Sequence, residues 1–416
     1  MRFLDNGTVR VGIDLNLGGA ITWLSKSGGE NMVNNFDLGR QIQMSHYSGP
    51  VPFNVGDKKP SKHWEHLGWN PIQAGDDFGN GSRTIEHTNK DGRLYTKCIP
   101  MQWPLEDVPA DCTFETWVQL EENVVHLRCR VMMRRKDKTK YPARLQEMPA
   151  MYLNAPYHRL MSYTGAKPFT NGVLTEIHRP GDKPEKWAEW LATERWAALV
   201  NDDGQGVGLW NPACLSFIGG FDGKLGPNDP RGNSTGYLAP QSLVMLEHDM
   251  HHDFHCELIV GTLTEIRDRV FKQSSAPEPP HWHFDLREGW RVVNAELQRA
   301  EADRGNRLLL ERDDPQVISP PTFFYADDAP FMKFYATFKT RHREAEVFWR
   351  RFENGKSVPG GSMTFPIQGD GQWREYTVRL ADSPEWRGAI VELRLDPVPS
   401  GAEGEWFDLG SVGFGK

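Results

Sequence analysis

The sequence predicts an all-β protein, a large antiparallel sandwich followed by a smaller, jelly-roll-like sandwich. Three observations predict it. Segments that alternate apolar and polar residues recur along nearly the whole chain, separated by turn residues among which Gly numbers 40 and Pro 29. Helical patterns are confined to two short stretches. At residues 274–280, Ser-Ser-Ala-Pro-Glu-Pro-Pro, three prolines in four residues can carry neither helix nor ladder. The 416 residues therefore divide into a first domain at 1–273, a linker at 274–280 and a second domain at 281–416.

The elements follow in order. Residues 8–14, Thr-Val-Arg-Val-Gly-Ile-Asp, alternate; Gly18-Gly19 turns the chain, and 20–24 return, which is a hairpin pattern. Further strands are expected at 114–120, 124–134, 150–154, 197–200, 207–210 and 253–260. Short helices are expected at 186–191 and 263–271. In the second domain, strands are expected at 331–339, 345–352, 363–367, 373–380 and 389–395, and about 135 residues is an ordinary size for one sandwich.

Composition narrows function. A net charge of −8 argues against non-specific binding to nucleic acid or anionic membranes, which needs a basic face. No apolar run is long enough to cross a bilayer as a helix. Five scattered Cys without a CxxC pair argue against a disulfide framework or a thiolate-built zinc site. The 15 Trp suit a protein that stacks sugar rings on aromatic faces, although aromatics also fill sandwich cores. The N-terminus reads as a strand and turn, not a leader: if the sequence is complete the expected location is cytoplasmic, and if a leader has been removed it is secreted or periplasmic.

Two resemblances sharpen the reading. Asn6-Gly7-Thr8-Val9-Arg10-Val11-Gly12-Ile13-Asp14 with Gly18-Gly19-Ala20-Ile21-Thr22-Trp23-Leu24-Ser25 resembles the opening hairpin of galactose-mutarotase-like proteins. Asp37-Leu38-Gly39-Arg40 and Asn70-Pro71-Ile72-Gln73-Ala74-Gly75-Asp76 resemble bacterial carbohydrate-active proteins with a β-supersandwich. The resemblance implies that fold for most of residues 3–270; it does not choose among epimerases, glycoside hydrolases, polysaccharide lyases and non-catalytic domains. The His pair and downstream Glu of true aldose epimerases are not found in their order, which sets mutarotation aside. Gly289-Trp290, Gly371-Gln372-Trp373-Arg374-Glu375-Tyr376, Glu385-Trp386-Arg387-Gly388 and Phe407-Asp408-Leu409 resemble a carbohydrate-binding-module-like jelly roll.

Four clusters could carry chemistry. The first joins Arg40, Gln43, His46 and Tyr47 to the loop bearing Trp64, His66 and Trp69, with Asp76 beyond it; imidazole, phenol and indole on loops suit proton transfer and sugar stacking. The second places Glu147 near one end of a strand and Tyr157, His158 and Arg159 beyond the other. The third contains Glu194 and Arg195, with Trp187 and Trp190 upstream, and Glu115 between Phe114 and Thr116-Trp117. Carboxylates among aromatics gain raised pKa values by desolvation. The fourth, His248 to His255, has four His in eight residues, with His251, Asp253 and His255 on one face of a strand; a metal site and a polar solvent-facing strand are both open.

The expected function is polysaccharide degradation in the first domain. Glu147 and Glu194 are the expected acid and base or nucleophile of a glycoside hydrolase. Arg40, Gln43, His46, Tyr47, Trp64, His66, Trp69, Asp76, Glu115, Arg159 and Arg195 are the expected substrate contacts. A polysaccharide lyase is the alternative, with Tyr157 or His158 as base and Arg159 neutralising a uronate; a non-catalytic glycan-binding protein is the third reading. The expected partner is a poly- or oligosaccharide, with no nucleic acid, membrane, cofactor or metal.

Overall fold

The computed structural model describes residues 1–178, 186–274, 276–284, 289–299 and 306–415. It is 52% strand and 6% helix, an all-β architecture of packed antiparallel sheets. Two compact units are distinguished, Met1–Thr164 with Phe169–Ser275, and Gly165–Pro168 with Ala276–Lys416.

The strands used below are β1 (Val9–Asp14), β2 (Ala20–Lys26), β3 (Ile42–Ser45), β4 (Cys112–Glu121), β5 (Val124–Met133), β6 (Arg144–Asn154), β7 (Trp196–Val200), β8 (Ser216–Asp222), β9 (Thr235–Val244), β10 (His251–Thr262), β11 (Phe331–Lys339), β12 (Arg374–Arg379) and β13 (Trp406–Gly415).

Among the described residues, the first unit has a ten-stranded front sheet and a nine-stranded back sheet. The front sheet runs Arg2–Asp5, β1, β2, β3, β6, β9, β8 and Ala188–Leu191, with two short strands branching from β3. The back sheet runs Thr175–His178, Arg159–Ser162, β7, Gln205–Trp210, β10, β5, β4, Arg93–Ile99 and Arg83–Lys90. Period two explains the layering: Val9, Val11 and Ile13 of β1, Leu127, Cys129 and Val131 of β5, and Phe254, Cys256 and Leu258 of β10 all point into one shared core. All five Cys are buried free thiols.

The expected helix at 263–271 is present as α1 (Leu263–Gln273), opened by a capping box in which Thr262 and Glu265 satisfy each other's backbone N–H groups. It lays Ile266 and Val270 on a second cluster with Trp196, Ala198, Val200 and Trp210 on the back sheet. The expected helix at 186–191 is instead a strand, Ala188–Leu191, antiparallel to β8. Trp190 turns inward to stack on Phe217 at 5.9 Å while Glu189 faces out, so packing at period two overrides local helix propensity.

In the second unit, two six-stranded sheets are described. One contains Glu296–Arg299, Asn306–Leu309, β13, β11 and β12; the other is centred on Ala389–Asp396 and Glu344–Glu353. Phe324, Phe334, Phe338, Phe407, Trp349 and Trp386 fill the space between them. Among the described residues no helix is long and apolar enough to cross a membrane.

Candidate functional site

The outer face of the front sheet holds the densest group of functional side chains. Its key residue is Glu147 on β6. Between Glu147 and Met151, β6 advances four residues while β9 advances three, from Gln241 to Leu238, so β6 carries a one-residue bulge. Met151 and Leu153 point into the core. In an unbroken strand Glu147 would point there too, since odd positions share a face. The bulge turns it outward beside Tyr152.

Glu147 accepts a hydrogen bond from the Tyr237 hydroxyl on β9. The Ser45 hydroxyl donates to that of Tyr47 at 3.0 Å, and both hydroxyls lie close enough to the carboxylate to lower its pKa. Burial raises the Glu147 pKa above the ordinary carboxylate value, and these three donors oppose the rise without cancelling it. The phenols of Tyr47 and Tyr237 are pushed upward, first by burial and then by the Glu147 charge, so both remain proton donors.

Aromatic surface extends from this group. Tyr152 stacks on Tyr237 at 4.6 Å, and Trp187 meets the edge of Tyr237 at 4.9 Å. Gly220 of β8 permits this: a Cβ there would lie 3.1 Å from the Trp187 ring. Lys186 and Asp222 form an ion pair at the same side. At the other side Arg40 bonds Asp37 at 3.2 Å and both the carbonyl and side chain of Asn233, and lies 4.8 Å from the centre of Phe36, which is 49% exposed. Burial raises the Asp37 pKa, opposed by Arg40. Trp64 donates to Asp77 at 2.6 Å and meets Trp103 edge-on at 5.8 Å. Arg144 lies 5.6 Å over Tyr47 and donates to the carbonyls of Ser48, His66 and Leu67.

The structure separates the expected residues into those on this face and those elsewhere. Glu147, Tyr47 and Arg40 are on it. Trp64 is half-buried beside Asp77, and His66 is exposed on the short turn Glu65–Leu67.

Glu194 is a correction. It is fully buried, gripped by Arg267 of α1 at 2.8 and 3.1 Å, and accepts from the Trp196 indole and the Phe169 N–H, each at 3.0 Å. It staples α1 to the back sheet and does not face a cleft. Arg195 beside it sits in a turn at φ 60°, and burial lowers its pKa.

Four expected substrate contacts are sealed. His46 is 0% exposed between Phe114, Phe254 and His252. Gln43 is spent on Leu38, Gln41 and the Ala74 N–H. Trp69 is buried and donates to Asp111. Asp76 is buried and caps the turn at Phe78 and Asn80 while accepting from the Asp107 N–H. Glu115 lies on the outer face of the back sheet, 3.5 Å from Lys97.

Tyr157, His158 and Arg159 follow the far end of β6, where Asn154 lies seven positions, about 20 Å of strand, from Glu147. His158 contacts the Pro156 carbonyl at 3.1 Å and Asp202 at 3.3 Å, and Arg159 pairs with Glu176 at 3.4 Å. The electrostatic neighbour of Tyr157 is Glu30. This group is not brought to Glu147.

In the His248–His255 segment, Asp253 is held by Arg130 through two 2.7 Å bonds, and His252 points inward toward Met148. Among the described residues no group of three or more His, Cys, Asp or Glu is placed to hold a metal ion. The residues missed from sequence are Tyr152, Tyr237, Asp37 and Ser45. Tyr237 lies 90 positions from Glu147, and only strand pairing brings them together.

No protein-family model matches this chain, and no curated protein matches it. Solved structures do. A candidate aldose 1-epimerase from Escherichia coli K12 is matched over 63% of this chain and 98% of its own, at 12% identity and a TM-score of 0.40. A low-affinity xylan-binding module from Roseburia intestinalis is matched over 33% of this chain and 94% of its own, at 14% identity and 0.23. A Paenibacillus xanthan lyase is matched over 98% of this chain and 50% of its own, at 8% identity and 0.33.

Proposed function

We propose that this protein processes a polysaccharide or oligosaccharide on the outer face of its front sheet, with Glu147 as the acid–base group. One observation carries the reading. A half-buried carboxylate of raised pKa is held by phenolic and hydroxyl donors directly beside stacked aromatic rings. A carboxyl group kept protonated above the usual range can deliver a proton to a leaving glycosidic oxygen. Tyr152 and Trp187 supply ring faces for the sugar.

Hydrolysis is the favoured reaction. The tyrosines beside Glu147 have raised pKa values, which suits donors and not bases. Glu194 cannot be the second carboxylate; Asp37, whose charge also acts on Tyr152, takes that place in the proposal. A β-elimination on a uronate remains the second reading, favoured by Arg144. Its half-buried guanidinium bonds only backbone carbonyls among the described residues and lies over Tyr47, which suits charge neutralisation.

The test is a polysaccharide panel assayed for reducing ends and for the ultraviolet absorbance of an unsaturated product. Wild type should release reducing ends, and Glu147→Gln should abolish release. Full activity in Glu147→Gln removes the assignment. An unsaturated product transfers it to elimination, and binding without product makes the protein a glycan binder.

A further inference from the structure

We propose that His46, His252 and Met148 form a buried site for a soft monovalent metal ion, Cu(I), between the two sheets of the first unit. The site goes beyond the Glu147 reading and does not rest on it. Neither ring nitrogen of His46 has a hydrogen-bond partner among the described residues, although the residue is 0% exposed. Buried polar atoms left unpaired are costly and call for a ligand. The ring neighbours of His46 are Phe114 at 5.4 Å, Phe254 at 6.1 Å and His252 at 6.2 Å. A water there would need about two or more polar partners, and two of these three rings offer none.

Three strands bring the donors together. His46 follows β3, Met148 lies in the bulged part of β6 next to Glu147, and His252 is the second residue of β10. Ser45 and Tyr47, on either side of His46, have their hydroxyls close to the Glu147 carboxylate on the outer face, so the His46 ring turns inward. Met148 belongs to the shared core, as does Phe254, which shares a strand face with His252.

The spacing fits an ion of low coordination. A metal–nitrogen bond of about 2.0 Å puts an ion about 3 Å from the centre of an imidazole, so two rings in line with one ion have centres about 6 Å apart. The His46 and His252 centres are 6.2 Å apart. Cu(I), with its filled d shell, accepts two nearly opposite bonds. The Met148 sulfur lies 3.2 Å from Nε2 of His252. Two donors that share an ion through bonds of about 2.0 and 2.3 Å at near a right angle are separated by about that distance.

Donor chemistry names the ion. Two imidazoles and a thioether are a soft, uncharged set, which favours Cu(I). Among the described residues no carboxylate bonds either ring. A divalent ion would carry uncompensated charge into the core, whereas a single charge costs less and gains from the aromatic rings beside His46. His252 is only partly buried, which gives the ion a way in.

The test uses the full chain under reducing, oxygen-free conditions, with Cu(I) presented by the coloured chelator bicinchoninate. Wild type should withdraw a single equivalent and melt about 5 °C or more higher with it. X-ray absorption of the bound ion should show nitrogen together with sulfur. His252→Ala should weaken binding about a hundredfold, and Met148→Leu about tenfold. Thermal melts without copper establish that the variants are folded. Wild type that takes no Cu(I) from the chelator, or folded His252→Ala that binds like wild type, would overturn the proposal. So would a spectrum of sulfur alone, which would assign the ion to the core thiols, or equally tight uptake of Zn(II). Glu147→Gln should bind Cu(I) like wild type, so failure of this site is distinguishable from failure of the Glu147 reading.

Discussion

Glu147 and Tyr152 lie five residues apart on β6 and face the same side of the front sheet, because a one-residue bulge intervenes. Strand geometry alone would put the carboxylate in the core. The bulge is what brings an acidic group beside the half-buried Tyr152 and Trp187, which pack against the buried Tyr237.

Glu147→Gln is expected to remove activity while leaving the protein at least as heat-stable at neutral pH. The folded-state pKa of Glu147 is raised, so its contribution to stability is present below the unfolded value and is lost as pH rises through the folded one. Wherever the carboxylate is ionised its burial is a liability, which the amide relieves. A drop in melting temperature together with lost activity would point to a structural role instead.

Tyr237→Phe is expected to shift the pH–rate limb governed by Glu147 upward. The Tyr237 hydroxyl lowers the carboxyl pKa against the larger effect of burial, and its removal leaves burial less opposed. The rate constant should fall less than in Glu147→Gln. An unmoved limb would show that Glu147 does not govern it.

Glu194→Gln is expected to destabilise the fold by about 3–5 kcal/mol, because Arg267 would remain as an uncompensated, largely buried charge. Denaturant unfolding measures this. Replacing both partners by Met should cost less than replacing either alone. A fully stable but inactive Glu194→Gln would restore Glu194 to the chemistry.

Stability is expected to fall as pH drops below 6.5. His46 and His252 are buried as neutral rings, with the His252 pKa lowered to about 4 by burial and that of His46 lowered well below the ordinary value by burial and the nearby His252. The unfolded chain takes up protons first, so stability present above 6.5 is lost progressively toward pH 4. His46→Leu should flatten the dependence. Unfolding curves at pH 7 and 5 with equal midpoints would contradict it.

What the sequence determined by itself was the all-β architecture, the first hairpin and α1, because each is written in neighbouring residues through period, turn chemistry and capping. It also singled out Glu147, Tyr47 and Arg40. Tertiary structure alone decided which carboxylates meet solvent. Glu147 and Glu194 look alike in sequence, each a carboxylate at the edge of an expected strand. A bulge turns one outward among hydroxyl donors, and a helix 73 residues downstream covers the other with an arginine. The same holds for His46, whose loop-like surroundings pointed outward while the sheets closed over it. Exposure of a side chain depends on what packs across it, and that partner is set by strand pairing over long sequence distances.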